Sequence, residues 1–334
     1  MMKLLIAGGA GYLGSSLVPK LLERGYEVDV VDFFWFGNNL PRAAGIVHKD
    51  LFDLTVQDLH GYEQVIFLAG LSNDPMAEFS PSKNFIYNAA APAYLAYIAK
   101  KAKVRRYVYA SSCSVYGYTE NRLHDEESPA IAHYPYGISK LQGEQAALRL
   151  QDDDVSVIAL RMGTISGYSP RMRLDLVVNT MFRDAVRHQL ITVNNPAIWR
   201  PVLSIEDAAS AYIRAIEAGP AVSGIFNIAS GNYTVGEIAD LVKVEVEAQV
   251  GIRPRLCIRH MDEFRSYKVN TQKAANVLSF HPRDDIRAIV RHLILHLDAF
   301  KDWDNPAYYN LERFKMLESL PAGLALTANG AVAS

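Results

Sequence analysis

Two residues that can together transfer a proton to and from an alcohol lie four positions apart. They are Tyr136 and Lys140, in the run Tyr136-Gly137-Ile138-Ser139-Lys140. On a helix this spacing places both side chains on one face. An ammonium beside a phenol favours the phenolate form. Such a Tyr can exchange a proton with a substrate hydroxyl near neutral pH. The spacing also occurs by chance on solvated helices, so it needs support from other residues.

A run of hydroxyl side chains supplies that support. Ser111-Ser112-Cys113-Ser114-Val115-Tyr116-Gly117 follows a predicted strand, at the carboxyl end where open α/β sheets bind their ligands. A hydroxyl at this edge can hydrogen-bond the same substrate oxygen as Tyr136. Ser114 and Cys113 are candidates for a further acid or base. Cys113 is also typical of a small buried packing residue.

A glycine loop near the N-terminus predicts a phosphate-binding turn. Gly8, Gly11 and Gly14 follow the first apolar run and open the first helical pattern, with Tyr12 and Leu13 between them. Glycines in this context allow a tight turn, close approach of the backbone to a pyrophosphate, and close helix–strand packing. The helix N-terminus then offers free N–H groups to the anion. We expect a bound dinucleotide at this loop.

Asp32 indicates which dinucleotide binds. It ends the second apolar run, about 20 residues after the glycine loop, where an acidic side chain accepts the ribose hydroxyls. A carboxylate repels a 2′-phosphate, and Phe33-Phe34 offers it no basic partner. The sequence therefore predicts NAD rather than NADP.

The elements that must position these residues alternate along the chain. Short apolar runs separated by longer segments of helical period predict a parallel sheet covered on both faces. Right-handed crossovers make this a doubly wound α/β (Rossmann) sheet. The predicted strands are Lys3–Ala7, Glu27–Asp32, Gln64–Leu68, Arg106–Ala110 and Val155–Leu160. The predicted helices between them are Leu13–Arg24, Lys83–Lys101 and Ser139–Leu150.

The rhythm changes after about residue 165. Later segments are shorter and mixed, including a helix across Asp175–His188 and a helix opened by a capping box of Thr234 and Glu237. We predict an NAD-binding domain over residues 1–165 and a smaller mixed α/β lobe for substrate over 166–300, some of whose segments return to the main sheet. A C-terminal extension covers 301–334, and its small, uncharged end from Pro321 is expected to be poorly ordered.

Composition excludes several classes of protein. Of 334 residues, 50% are hydrophobic and 21% charged, enough to bury a large core. The net charge of −2 does not favour nucleic-acid binding. Two distant cysteines, Cys113 and Cys257, fit a reducing cytoplasm and cannot build a disulfide framework or a four-cysteine zinc site. The nine His form no metal-binding pattern. No apolar run approaches the roughly 20 residues of a membrane helix.

Together these motifs resemble the extended short-chain dehydrogenases/reductases, and more narrowly the NAD-dependent nucleotide-sugar epimerases and dehydratases. The resemblance covers roughly residues 2–300. It rests on the glycine loop, Asp32, Leu68-Ala69-Gly70, Ser111–Gly117 and Tyr136–Lys140.

The resemblance implies roles for individual residues. It makes Ser112, Tyr136 and Lys140 catalytic. It places Asp50-Leu51 beside adenine, Asn88 in the long helix behind the nicotinamide, and Leu68, Ala69, Gly70 and Ser111 along the cofactor. Arg200, in Trp199-Arg200-Pro201-Val202, and Arg259, in Arg259-His260-Met261-Asp262, match arginines that meet the substrate diphosphate. A guanidinium suits that role because it binds phosphate oxygens in pairs.

Three features depart from the family pattern. Cys113-Ser114 replace the Asp-Glu pair that the dehydratases carry before Val-Tyr-Gly, so elimination chemistry loses its usual acid and base. Thr164 replaces an Asn that usually meets the diphosphate. The basic run around Arg171 lies where substrate is expected and either compensates for Thr164 or is a helix start with solvated arginines.

Three functions remain open at this point. The first is an NAD-dependent nucleotide-sugar epimerase, with a 4-epimerase as its simplest form. The second is an NAD(P)H-dependent keto-sugar reductase, or a related enzyme of deoxysugar or natural-product biosynthesis. The third is a cofactor-sensing binding protein on the same fold, which the intact Ser112, Tyr136 and Lys140 set disfavours.

The resemblance also implies a homodimer. In the family the two long helices, here Lys83–Lys101 and Ser139–Leu150, pair across a twofold axis. Alanines along the first helix would allow close approach, although one face of each helix must pack on the sheet.

Overall fold

Buried β-branched and aromatic residues form a seven-stranded parallel sheet at the centre of the fold. The computed structural model describes residues 2–261 and 266–319, apart from the side chains of 118–120, and the backbone of two short strands beyond. Strands such as Ser156–Met162 are buried along their whole length, as expected for a sheet covered on both faces. This sheet confirms the doubly wound α/β fold, and its strands lie side by side in the order Gly224–Ile228, Ser156–Met162, Arg106–Ser112, Gln64–Phe67, Lys3–Ala7, Glu27–Val31 and Gly45–Val47.

The strands largely match the predicted ones. The strand predicted over Val155–Leu160 runs two residues further, and the one over Arg106–Ala110 extends to Ser112. In chain order the strands are β1 (Lys3–Ala7), β2 (Glu27–Val31), β3 (Gly45–Val47), β4 (Gln64–Phe67), β5 (Arg106–Ser112), β6 (Tyr118–His124), β7 (Ser156–Met162), β8 (Thr164–Ser166), β9 (Leu190–Asn194), β10 (Trp199–Ser204), β11 (Gly224–Ile228), β12 (Gly231–Thr234), β13 (Arg255–Arg259), β14 (Ser266–Val269), β15 (Ala325–Leu326) and β16 (Val332–Ala333).

The helices differ from prediction at two places. The segment predicted as one helix over Lys83–Lys101 contains a π-helical turn, Ile86–Ala90, and the segment predicted from Ser139 begins at Pro135. The helices are α1 (Gly14–Glu23), α2 (Asp74–Phe79), α3 (Pro81–Phe85), α4 (Ala91–Lys101), α5 (Pro135–Leu148), α6 (Val177–His188), α7 (Ile205–Glu217), α8 (Val235–Val250), α9 (Gln272–Leu278), α10 (Ile286–Leu295) and α11 (Asn310–Glu318).

The order of the strands fixes where a ligand can lie. The chain passes from β1 to β2 and β3 on one side, and then returns to place β4 on the other side of β1. Strands β1 and β4 pair with each other in parallel, so their carboxyl ends lie side by side. Loops that leave such a switch point diverge and open a crevice. The glycine loop and Leu68-Ala69-Gly70 follow these two strands directly.

Smaller sheets and three helices form a second lobe around its own apolar core. This second lobe contains α6, α8 and α10, with the sheet β12-β10-β8 beside it and the pair β13-β9 at its edge. The predicted capping box at Thr234 and Glu237 is confirmed at the start of α8. Strand β11 pairs with β7 in the main sheet, so the chain returns to the first core from the second lobe.

The C-terminal helix α11 packs back onto the main body. Its Phe314 is fully buried with Leu71 and Met76. Most of the tail expected to be poorly ordered lies outside the described residues, although the backbones of β15 and β16 pair antiparallel. Within the described residues, the helices are too short or too polar to cross a membrane.

Candidate active site

The glycine loop and the end of β4 form one wall of a cavity. Gly8 has φ +79°, and a Cβ there would lie 2.4 Å from the Ala69 nitrogen, so only glycine fits. A Cβ at Gly14 would lie 2.2 Å from the Gly9 carbonyl oxygen, which explains the third glycine at the helix start. Gly11 instead faces the cavity. The cavity is lined by Gly8, Gly11, Val31, Asp32, Phe33, Trp35, Phe36, Lys49, Leu51, Leu68, Ala69, Gly70, Leu71 and Tyr87.

Asp32 lies in this cavity and also shapes the loop. Its carboxylate accepts hydrogen bonds from the backbone N–H groups of Ala10 (3.0 Å) and Phe34 (2.8 Å). Burial raises the pKa of Asp32, and these two bonds oppose that shift. Lys49 is a cation on the same cavity wall, but its ammonium is 2.5 Å from the Asp58 carboxylate. The Asp32 carboxylate therefore lies where the sequence predicts the adenosine ribose, and it can accept hydrogen bonds from the ribose hydroxyls.

Four other predicted cofactor residues take different positions. The Tyr12 phenol points away from the cavity. Its hydroxyl donates a hydrogen bond of 2.5 Å to the Gly167 carbonyl oxygen, and this bond connects the glycine loop to the second lobe. Leu13 lines the adjoining cleft. Leu51 lines the cavity, whereas the Asp50 side chain caps a short 3₁₀ turn by accepting from the Phe52 nitrogen.

A larger cleft adjoins this cavity and contains the predicted catalytic residues. Ser112 is the last residue of β5, and Tyr136 and Lys140 lie on the first turns of α5. All three line the cleft, together with Leu68–Asp74, Asn88 and Thr164. The cavity and the cleft share Gly11, Phe36 and Leu68–Leu71, so one extended ligand can occupy both.

Burial dominates the ionisation of the catalytic side chains. It raises the pKa of the Tyr136 phenol well above its usual range, while a hydrogen bond from the Ser112 hydroxyl lowers it. Burial lowers the pKa of Lys140 to about 7, opposed by the nearby Glu144 carboxylate. The Lys140 ammonium sits 4.6 Å from the centre of the Tyr109 ring. In these surroundings Lys140 is a titratable group near neutral pH, and burial favours the neutral phenol of Tyr136; the phenolate is expected with the positive ring of NAD beside it.

The π-helical turn positions α5. Asn84 accepts hydrogen bonds from the Asn88 amide (2.7 Å) and the Ser139 hydroxyl (3.1 Å), and its own amide donates to the Pro135 carbonyl (2.9 Å). A Cβ at Gly143 would lie 2.4 Å from the Asn88 carbonyl oxygen. Asn88 is thus buried behind the cleft, and it holds the helix that carries Tyr136. π-Turns inside helices often occur at functional sites.

A buried ion pair anchors the other side of α5. The Arg161 guanidinium on β7 donates two hydrogen bonds, of 2.9 and 2.7 Å, to the Glu144 carboxylate. The Ser111 hydroxyl donates to the same carboxylate at 2.6 Å. Ser111 lines the cleft as expected for a cofactor-binding residue, but its hydroxyl is engaged with Glu144.

The structure corrects the suggestion that Cys113 is an acid or base. Its side chain is fully buried, donates to the Arg161 carbonyl oxygen (3.1 Å), and packs with Val115 and Tyr116 away from the cleft. Burial also raises its pKa far above the usual range, so the thiolate is disfavoured. Ser114 does line the cleft, with its hydroxyl 3.2 Å from that of Tyr267.

The five predicted substrate residues separate into two groups, and Ser112 lines the cleft as described above. Thr164, Arg171 and Arg200 line the cleft. Arg200 lies beside the Tyr267 ring, 5.9 Å from its centre. Arg259 is exposed on β13 and is not among the described residues that line the cleft. Asp262, from the same motif, lies outside the described residues.

The cleft also contains residues that the sequence analysis did not single out. Tyr267 on β14, Asp74 at the start of α2, and Ser72 all line it. Asn310 reaches it from α11, 238 positions after Ser72, to whose hydroxyl it donates at 2.6 Å. Only Asp74 had a local signal, since Asn73-Asp74-Pro75 is typical of a helix start directly after a strand-end loop.

These features fit a bound dinucleotide. The glycine loop leaves no room for side chains at Gly8 and Gly14, the helix N-terminus follows it, and Asp32 stands at the ribose position. Among the described residues, no group of three or more His, Cys, Asp or Glu is arranged to hold a metal ion.

Comparisons with known proteins place this geometry in a family. The model of the NAD dependent epimerase/dehydratase family matches residues 4–229. UDP-glucuronic acid decarboxylase 3 of Arabidopsis thaliana is 28% identical over 301 residues, 86% of each chain. UDP-glucose 4-epimerase of Corynebacterium glutamicum is 26% identical over 327 residues, 92% of this chain and 99% of that protein. The solved structure of MoeE5 in complex with UDP-glucuronic acid and NAD has a TM-score of 0.77 and 27% identity, covering 89% of this chain and 99% of that one.

The buried Lys140 makes folding stability depend on pH. Its folded pKa of about 7 lies below the ordinary value of 10.5. Between these values the unfolded chain binds a proton that the folded chain does not, so stability rises with pH. Below pH 7 both states are charged and this contribution is flat. Relative to Lys140→Met, the free energy of unfolding of the nucleotide-free wild type should rise by up to about 1.4 kcal/mol per pH unit above pH 7.

Urea denaturation of both proteins at several pH values from about 6 to 9 measures this difference. The matched control is Lys301→Met, at a lysine whose side chain is 68% exposed; relative to this variant, which keeps Lys140, the wild type should show no such slope. Parallel stability curves for wild type and Lys140→Met would show that Lys140 keeps an ordinary pKa in the fold.

Proposed function

The chain belongs to the NAD dependent epimerase/dehydratase family, and from that premise we propose that it is a nucleotide-sugar 4-epimerase. The curated relatives include UDP-sugar epimerases and decarboxylases. The observation that separates this chain from the family's dehydratases is the wall of the cleft beside Ser112. Where the family's dehydratases carry an Asp-Glu pair, this chain presents a thiol buried away from the cleft and an alcohol held by Tyr267.

Epimerisation at C4 needs one acid–base group that works in both directions. Tyr136 takes the proton of the C4 hydroxyl and later returns it, while the Ser112 hydroxyl hydrogen-bonds the same region and stabilises the ionised phenol. When bound, NAD supplies a hydride acceptor, then a hydride donor, and a positive ring near Tyr136 that favours the phenolate. Lys140, on the same face of α5 and buried behind Tyr136, adds positive charge when protonated.

The remaining cleft residues suit a substrate with an anionic diphosphate and a keto-sugar that turns over during the reaction. Arg200 stands on β10 next to Tyr267, at the far side of the cleft from the glycine loop, and can hold a diphosphate with paired hydrogen bonds. Thr164, Ser114 and Tyr267 offer neutral hydroxyls toward the sugar. Neutral partners allow either face of a keto-sugar to be presented without an unpaired charge. Of the cleft carboxylates, that of Asp175 is bound by Arg173 at 2.8 and 3.1 Å.

The proposal is tested with UDP-glucose and UDP-glucuronic acid in heavy water, in the presence of NAD. A 4-epimerase gives a product of unchanged mass and new chromatographic retention, without deuterium on carbon, because the hydride returns to the carbon it left. Loss of carbon dioxide would identify a decarboxylase instead. Net consumption of NADH or NADPH with a keto-sugar would support a reductase and contradict the proposal.

The purified protein should also contain its cofactor. A redox-neutral cycle works best with NAD that stays bound, so denaturation should release NAD(H) in near-stoichiometric amount. Release of NADP instead would contradict the role given to Asp32, whose carboxylate stands at the ribose.

Replacing the acid–base group should abolish turnover without removing the cofactor. We expect Tyr136→Phe to lower the epimerisation rate by about 10²–10⁴-fold, the contribution typical of general acid–base catalysis. NAD binding should persist because the phenol oxygen is a small part of the cofactor contacts. Tyr97→Phe, at a tyrosine 50% exposed on α4, is the control and should be fully active. Wild-type turnover in Tyr136→Phe would refute this role.

We also propose that two copies associate through the long helices. The outer face from the π-turn through α4 exposes Ile86 (43%) and Tyr97 (50%), with Ala90 and Ala93 between them. An apolar stripe with small residues at its centre suits close helix packing. A homodimer in the cytoplasm remains a prediction of this proposal.

A charge on that stripe should separate the copies. Light scattering should give twice the 37.1 kDa of the chain for the wild type and the single mass for Tyr97→Glu. Leu295→Glu, at a leucine 78% exposed on α10, should stay dimeric as a control. A monomeric wild type, or a dimeric Tyr97→Glu, would rule out this interface.

A further inference from the structure

Arg171 is a buried cation, and some of its hydrogen-bond donors have no acceptor among the described residues. It follows β8, is 3% exposed, and lies with its guanidinium 3.6 Å from the centre of the Phe36 ring. One of its nitrogens, Nη2, donates to the Asn310 side-chain oxygen. Within the described part of the chain, its Nε and Nη1 are buried and have no hydrogen-bond partner. Buried donors of a charged group are costly to leave unmatched, so this arrangement indicates an acceptor that binds there.

The neighbouring carboxylates do not supply that acceptor. Asp175 is bound in two places by Arg173, and Asp32 accepts from the backbone of Ala10 and Phe34. Arg173 adds a second positive charge close by, and together with burial it lowers the pKa of Arg171 to about 9. Arg171 is therefore charged at neutral pH, and Asp175 and Asp32, although near enough to raise its pKa, leave its Nε and Nη1 donors unmatched. The missing partner is an anion.

Its place in the fold separates this anion from the sugar end of the substrate. Phe36, under the guanidinium, lines both the cofactor cavity and the cleft. Asp32 and Tyr12, which flank the glycine loop, are near enough for their charges to affect Arg171. Arg200 lies instead beside Tyr267 and on β10. Arg171 thus lies in the part of the cleft that adjoins the cofactor cavity and contains Gly11 of the glycine loop.

We propose that Arg171 binds the pyrophosphate of the dinucleotide cofactor, on the side opposite the glycine loop. The backbone N–H groups at the start of α1 meet one side of this diphosphate, and the guanidinium Nε and Nη1 meet the other with paired hydrogen bonds. Arg171 is thereby a cofactor residue and not the substrate residue that the sequence predicts. The assignment depends on NAD being the cofactor, and not on which sugar is converted.

The C-terminal helix holds Arg171 in this position. Asn310, at the first residue of α11, also donates through its side-chain amide to Ser72 (2.6 Å) and through its backbone N–H to Asp175 (3.1 Å). One helical turn later, the Phe314 ring stacks on Trp35 at 5.4 Å, and Trp35 lines the cofactor cavity. Asn310 is thus a positioning residue that joins α11 to the cofactor site.

Ligand fragments test the assignment without turnover. Binding of adenosine, ADP-ribose and UDP to nucleotide-free, full-length protein is measured by calorimetry. We expect Arg171→Met to weaken ADP-ribose about 10- to 100-fold, the usual loss for a hydrogen bond to a charged group. Adenosine and UDP should change by less than about twofold. Arg200→Met, the matched control, should weaken UDP and leave ADP-ribose unchanged.

Several outcomes overturn the proposal. They are a loss of UDP binding with ADP-ribose intact, an equal loss for adenosine, and no loss for any ligand. Arg171→Lys keeps the charge and guards against misfolding. It should bind ADP-ribose more tightly than Arg171→Met, and weaker binding than in Arg171→Met would also contradict the assignment.

The role of Asn310 is tested by a double-mutant cycle. Asn310→Ala should weaken ADP-ribose binding in the wild type and have no further effect in Arg171→Met, because it acts through Arg171. Adenosine binding should be unchanged in both backgrounds. Equal effects of Asn310→Ala in the two backgrounds would show a general structural role and would overturn the positioning role.

Discussion

The catalytic geometry depends on the buried ion pair between Glu144 and Arg161. Their side chains are 1% and 4% exposed, and two short hydrogen bonds fix their mutual orientation. A pair like this adds little net stability, but losing one partner strands a charge in the core. It joins α5 to β7, and the Ser111 hydroxyl joins β5 to the same carboxylate. Ser112 follows Ser111 directly, Tyr136 and Lys140 precede Glu144 on α5, and Thr164 follows β7. The cleft wall inherits its geometry from this pair.

At two glycines the backbones of neighbouring segments pack so closely that a side chain would not fit. Gly8 brings the glycine loop against Ala69, and Gly143 brings α5 against the Asn88 carbonyl of the π-turn. Both contacts lie at the switch point between β1 and β4 or directly behind it. The Tyr109 hydroxyl lies 3.1 and 3.2 Å from the carbonyl oxygens of Asn88 and Lys140, and so links the π-turn to α5 from below. The cofactor end and the proton-transfer end are thereby built on one rigid frame.

The sequence predicts the parts of this frame that local chemistry determines. Each of these parts is recognised from residues that lie close together in the chain. They are the strand periodicity, the glycine loop with Asp32 at the end of the next strand, and the Tyr136–Lys140 spacing. The π-turn was missed although Pro92, two residues past its end, is a local signal: proline has no N–H to continue the helical hydrogen bonds. Strand alternation could not set Cys113 aside, because β5 ends at Ser112 and Cys113–Tyr116 form a 3₁₀ turn. Asn310 could not be found this way, because nothing near it in the chain points to Ser72 or Arg171.

With Arg171 on the cofactor diphosphate, as proposed, the second lobe would help to hold the cofactor as well as the substrate. Tyr12 leaves the glycine loop to donate to Gly167, and its hydroxyl accepts from Asn179, so the loop and the second lobe are fastened together. Arg171 comes from the same connection and is fastened in turn to α11. On the proposed function the enzyme must keep its reduced cofactor while the keto-sugar turns over, because a dinucleotide lost at that stage ends the cycle. The glycine loop and Arg171, which α11 holds through Asn310, would both meet the diphosphate and oppose that loss, since the two lobes would have to move apart before the dinucleotide could leave.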